Sequence, residues 1–235
     1  MTRRTNARIA GFTYLFYIGV ALPCMVLMNR ATSAESTAAK LARVAEHASD
    51  VRVAIVLTLL SCFSALVLGV ALYGITRDED HELAMLAMTF RVGEGVVGVI
   101  GIPNTMGLLW LATAGGGAGA PDVVTANTLG AYLLMPAQDT MLGAPFFAVG
   151  SMIFSYLLLR GRIVPIPLAW LGVLASVLLV VALPLQFAGV IKGPLTSLMY
   201  LPMLAFEVPL GLWLLIKGAA TPATRQAPAA IARQM

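Results

Sequence analysis

Charge is what this sequence lacks most. Only 11% of its 235 residues are Asp, Glu, Lys or Arg, where a soluble domain carries about 25%. A chain of this length could not cover a soluble fold with so few charges. Histidine and cysteine are nearly absent, with two of each. His47 and His81 fall in polar connections between apolar stretches, and no His/Cys/Asp/Glu set has the spacing of a zinc site. Cys24 and Cys62 sit at depths that differ by about 9 Å along their helices, too far apart for a disulfide. They read as two small buried hydrophobes. Alternating strand patterns, Gly-x-Ser-x-Gly and a phosphate-cradling glycine loop are missing as well. These absences exclude a disulfide scaffold, a membrane β-barrel and the commonest hydrolase and nucleotide-binding signatures. The formal net charge of +4 implies no nucleic-acid partner, because membrane topology accounts for where the basic residues lie.

What is present is apolar. Hydrophobic residues make up 59% of the chain, and the mean hydropathy is +0.88. A membrane span needs about 20 mostly apolar residues. Six stretches qualify, at Ile9–Met28, Val53–Ile75, Leu83–Leu111, Thr140–Leu159, Ile166–Leu185 and Leu195–Ile216. Each must be a helix, since the bilayer offers no water to satisfy backbone groups. The first exceeds the apolar run of a secretory signal and reads as a retained span. The expectation is an all-α membrane protein, a six-helix transmembrane bundle.

Orientation follows from the basic residues. With the N-terminus inside, nine are cytoplasmic (Arg3, Arg4, Arg8, Arg77, Arg160, Arg162, Lys217, Arg225, Arg233) and five are outside (Arg30, Lys40, Arg43, Arg52, Lys192). Arg91 alone lies within a span. Both termini are then cytoplasmic. The outer loop 29–52 predicts a short interfacial helix. Thr32-Ser33-Ala34-Glu35 reads as its capping box, and Leu41, Val44 and Ala48 form one stripe. Gly-rich Ala114–Ala120 predicts a linker. A second short outer helix follows from Pro121, with a break near Pro136–Thr140. Residues 1–218 form a single domain in this reading, and 219–235 a disordered cytoplasmic tail.

Three ionisable residues remain inside spans: Arg91, Glu94 and Glu207. Each costs about 2.5–3.5 kcal/mol at a helix centre and is a functional-site hypothesis by default. Glu94 lies about 17 Å into the third span and Glu207 about 15 Å into the sixth, measured from the same side. Arg91 shares a face with Glu94, and that face continues as Gly98, Gly101, Thr105. On the sixth span the matching stripe is Tyr200, Met203, Leu204, Glu207, Gly211, Leu214. Two carboxylates and one guanidinium cannot all neutralise one another, so either one carboxyl holds a proton or a bound cation completes the charge. The candidate ligand-binding residues are therefore Arg91, Glu94, Glu207, Tyr200 and Thr105. Pro103, Asn104, Asp139 and Gln186 make a second polar group at the outer boundary, which interface hydration explains. The charged run Arg77–Glu82 reads as a solvated inner turn. Pro103 interrupts the third span and Pro202 and Pro209 the sixth, a pattern that points to an inverted repeat, although the halves share no residue-level similarity.

Several segments resemble a bacterial six-span integral-membrane family known only as a domain of unknown function (number 4386). They are Ala10-Gly11 with Tyr14-Leu15, Phe90-Arg91, Leu158 with Arg160, Pro165 before Leu168-Ala169-Trp170-Leu171-Gly172, Pro202 before Glu207, and the closing Gly211–Gly218. The resemblance spans about residues 7–218. It implies a six-span inner-membrane protein with Arg91 and Glu207 at characteristic positions, and it supplies no reaction. Many members carry a histidine at the start of the fourth span, where this chain has Pro136-Ala137-Gln138-Asp139.

Three functions follow. The first is a handler of a small or amphiphilic ligand, lipid or ion at a buried polar site between spans three and six. The second is a non-catalytic subunit or scaffold whose charged cluster is purely structural. The third is an intramembrane enzyme, which the residues favour least because no nucleophile is identified. No catalytic residue, metal site or cofactor is expected, and the partners are the bilayer and the small-molecule, lipid or ion ligand.

Overall fold

A computed structural model describes residues 1–114, 119, 121–134 and 142–220. The described residues form ten helices and no strand: α1 (Arg3–Thr32), α2 (Thr37–Glu46), α3 (Ala48–Thr76), α4 (His81–Ile100), α5 (Ile102–Thr113), α6 (Val123–Leu134), α7 (Ala144–Arg160), α8 (Ile166–Phe187), α9 (Leu195–Leu198) and α10 (Leu201–Ile216). Five helical stretches are long and apolar enough to cross a membrane: Arg3–Thr32, Ala48–Thr76, His81–Thr113, Ile166–Phe187 and Leu195–Ile216. They match the expected spans one, two, three, five and six. The expected fourth span, Thr140–Leu159, appears as the 17-residue α7. At 1.5 Å per residue it is about 26 Å long, against about 30 Å of hydrocarbon. The break expected at Pro136–Thr140, most of the Gly-rich linker and residues 221–235 of the expected tail lie outside the described residues.

Prolines and polar caps set the helix ends. Pro103 has no N–H to give the Val99 carbonyl, and the third stretch divides just before it. Gly101 N–H bonds back to Gly98 at 3.3 Å, and α5 starts at Ile102. Pro202 likewise opens α10 after a turn in which Tyr200 N–H donates to Ser197 at 3.3 Å. Pro209, by contrast, is accommodated inside α10. The short helix α2 forms as expected, with Leu41 and Val44 buried, but Ser36 caps it by accepting from Ala39 N–H at 3.2 Å. The expected capping box is displaced because α1 runs on to Thr32, whose hydroxyl donates to the Met28 carbonyl at 2.8 Å. Ala48 begins α3 instead of ending α2. At α6 the cap is Asp122, not Pro121. Its carboxylate accepts from Thr125 N–H at 2.9 Å and from the Thr125 hydroxyl at 3.0 Å. Those bonds hold the Asp122 carboxyl below its ordinary value of 3.8.

Backbone proximity groups the chain into two units. The first contains Met1–Phe16, Ser64–Glu94 and the described residues from Ala144 on. Its core includes Leu68, Leu72, Phe154, Leu179, Phe206 and Leu210, with α7 packed on α8 and α8 on α10. Ala219 and Ala220, the first residues of the expected tail, belong to this packing. Ala219 lies against the core, and Ala220 N–H donates to the Ile163 carbonyl at 3.0 Å. The second unit contains the described residues of Tyr17–Phe63 and Gly95–Gly143. Its core is Ala31, Leu41, Val44, Val51, Leu108 and Leu111, built where α2, α5 and α6 pack on one another.

The helix α8 shows what solvent this surface is made for. Its buried side is Ala169, Gly172, Ala175, Ser176, Leu179, Ala182 and Leu183. Its exposed stripe is Trp170, Leu174, Val177, Leu178, Val181 and Leu185. The inward face is mostly small, with Leu179 and Leu183 the exceptions, and the outward face is bulky and apolar, the arrangement used where helices pack closely within lipid.

Candidate functional site

The site lies in the first unit and begins with two residues of α4. Arg91 and Glu94 are three apart, so their side chains share one face. Arg91 Nη1 stands 2.8 Å from Glu94 Oε2. Both are buried, Arg91 to 1% exposure and Glu94 to 8%. Burying ions is costly unless they are paired, and the surroundings of Arg91 are shaped to hold it. A methyl group added at Gly69 of α3 would come within 2.9 Å of Arg91 Cβ, and one at Gly150 of α7 within 3.3 Å of its Cδ. The absence of a Cβ at these two positions makes room for the arginine stem. Phe147, also on α7, lies beneath the guanidinium, with Cζ 5.1 Å from the ring centroid. A cation over an aromatic face gains electrostatic attraction that grows with desolvation.

Glu207 supplies the second carboxylate from α10. It is 5% exposed, among Met203, Phe206, Leu210, Gly211 and Leu214, all buried. Its Oε1 is buried without a hydrogen-bond donor among the described residues. The charges of Arg91 and Glu94 both act on Glu207. Tyr14 of α1, 2% exposed, lies in the field of all three. Two glycines bring α1 and α10 together. A methyl at Gly211 would lie 3.1 Å from Tyr14 Cβ, and one at Gly11 would lie 2.5 Å from the Gly211 carbonyl oxygen. One cation and two carboxylates thus share a buried interior, and with both carboxylates ionised their formal sum is −1.

Arg91, Glu94 and Glu207 are therefore gathered in one unit. Tyr200 sits in the turn before α10, half-buried against the same core. It is seven residues before Glu207, about 10 Å along the axis. Thr105 is on α5 in the other unit. The continuous face expected from Arg91 to Thr105 is cut where α4 ends at Ile100. Asn104 and Gln186 also fall in different units, and Asp139 lies outside the described residues. Tyr14, Phe147, Gly69 and Gly150 were not anticipated at the site. A signal for Tyr14 did exist, because Ala7, Ala10, Gly11 and Tyr14 follow helical spacing and all four are buried.

The charged turn 77–82 proves to be more than a solvated loop. Arg3 Nη1 lies 3.4 Å from Asp78 Oδ2, and Arg3 Nη2 lies 3.7 Å from Glu79 Oε1. Arg160 Nη1 donates to Asp80 Oδ2 at 3.1 Å. Asp80 Oδ1 accepts from Leu83 N–H at 3.1 Å and so caps α4. The turn ties the start of α1 and the end of α7 to the start of the helix that carries Arg91. Among the described residues, no three His, Cys, Asp or Glu side chains are grouped so as to hold a metal ion.

The helices and the inverted surface of α8 define an all-helical protein of membrane character with a charged cluster in its interior. The chain belongs to the family described as a domain of unknown function (DUF4386), whose model matches residues 9–218. No match is found among curated proteins or among solved structures.

Proposed function

We propose that this is a six-span protein of the bacterial inner membrane, with both termini cytoplasmic, that handles a small or amphiphilic ligand, lipid or ion at the buried Arg91–Glu94–Glu207 cluster. The nine-to-five distribution of basic residues supports the orientation. For the sixth span, the support is that α7, at 17 residues, matches the shortest helices that cross a bilayer, about 17 residues. Tyr200 joins the candidate ligand-binding set, whereas Thr105 lies on α5 in the other unit. One observation carries the reading: Glu207 is a buried carboxylate in excess of the one cation that the described residues bring to the cluster, with an oxygen to which no described donor is bonded. A purely structural staple would be expected to balance its charges.

A second reading has its own support. The close fit of Arg91 between Gly69, Gly150 and Phe147 suits a fixed structural element in a non-catalytic subunit. Thermal unfolding in detergent of the wild type and Glu207→Gln, each against a panel of lipids and metabolites, separates the two. The ligand-handling reading predicts that a panel member shifts the wild-type transition and not that of the folded variant. The staple reading predicts that the variant is severely destabilised and that no compound shifts either protein.

A further inference from the structure

Resting on that reading of the site, we propose that its occupant is a proton, taken up and released at Glu207 Oε1. The first argument is charge. Arg91 stands at 2.8 Å from Glu94, and the cluster with both carboxylates ionised is one positive charge short. An anion would deepen the deficit and a neutral ligand would leave it, whereas one proton closes it. The second argument is room. The α10 residues flanking Glu207 are buried, and one turn further on, at Gly11 and Gly211, α1 and α10 meet so closely that even a methyl group would press on the opposite helix. The third argument is ligand number. A metal ion asks for a shell of several oxygens, and no acidic trio is present among the described residues. A proton needs one oxygen.

Few other groups bear on this titration. α4 presents Arg91 and Glu94, and α1 presents Tyr14. α10 itself carries Tyr200 at its start. α8, which packs on α10, contains no titratable residue. The ionisable groups of α7 are Tyr156, which is exposed, and Arg160, which is tied to Asp80 at the helix end. Beside its own burial, the charged groups that bear on a proton at Glu207 are therefore Arg91 and Glu94.

The test is infrared difference spectroscopy on the full chain in liposomes, with 13C-labelled glutamate, across pH and with sodium exchanged for choline. A 13C-shifted protonated-glutamate carbonyl band should appear as pH falls, vanish in Glu207→Gln, be replaced in Glu207→Asp by an unlabelled carboxylic-acid band, and ignore the sodium exchange. The aspartate variant and the wild-type titration stand even if Glu207→Gln fails to fold. Either of two results overturns the proposal: no such band at any pH where the wild type remains folded, or a band that sodium displaces at constant pH. The ligand panel described above distinguishes the failures. If the band is missing and a panel member still shifts the wild type but not the variant, the proton assignment falls and the ligand site survives. If neither is seen, both fall.

Discussion

The first unit holds two sets of ion pairs that differ in one respect above all, their access to water. At the turn 77–82, Asp78 and Arg160 are about half exposed, while Arg3 and Glu79 are mostly covered, and the pairs span 3.1–3.9 Å. On α4, Arg91 and Glu94 are almost entirely buried and 2.8 Å apart. The same residue types therefore do different work. Exposed pairs contribute about 0–1 kcal/mol each and mainly fix where chain segments meet. A buried charge cannot be removed singly without stranding its partner. The contrast also isolates Glu207, which is buried like Arg91 and lies in the field of the cation that pairs with Glu94.

The largest expected effect comes from breaking the buried set. Arg91→Met should cost about 3–5 kcal/mol, the penalty for leaving a buried ion uncompensated, and should be read as a loss of folded protein in detergent melts. A Gly150→Val or Gly69→Val substitution sharpens the comparison without altering charge. Crowding the arginine stem should cost about 1–3 kcal/mol, whereas the same change at Gly19, where an added Cβ meets nothing within 4 Å, should cost less than either.

The surface set should yield much less. Arg160→Ala should change stability by at most about 1 kcal/mol. Asp80→Ala should cost about 1 kcal/mol more, because it also removes the α4 cap; Asp80→Asn keeps an acceptor and should fall between them. The smallest effect concerns Asp122, which is exposed. Its carboxyl is held below the ordinary 3.8 by Thr125. A depressed folded-state value means that its support for the start of α6 is present above the unfolded value and is lost as pH falls through the folded one. Amide exchange at Thr125, compared with Asp122→Asn, should therefore show protection that declines only on the acid side of 3.8.

Much of this architecture is written in the order of the residues. Long apolar runs locate helices because backbone groups in lipid have no other partner, so the boundaries moved by only a few residues at most ends. The Arg91–Glu94 pair was readable because three residues along a helix fix a shared face. Pro103 announced the division of the third stretch for the reason that proline lacks an N–H. What could not be read were contacts between distant segments. Nothing local to Gly69 or Gly150 says that an arginine stem passes there, and nothing in Arg160 says that it meets a residue 80 positions earlier. The capping box failed for another reason: Thr32 bonded back into α1, so the first competent cap was Ser36.

Melting of Glu207→Gln beside Arg91→Gln across pH tests the central claim most directly, that Glu207 carries the unbalanced charge of the cluster. The account predicts that Glu207→Gln is at least as stable as the wild type at neutral and higher pH, that the difference closes as acid protonates the wild-type carboxyl, and that Arg91→Gln is severely destabilised throughout. If Glu207→Gln proves as destabilised as Arg91→Gln at every pH, Glu207 is a required member of a balanced staple, and the account is contradicted.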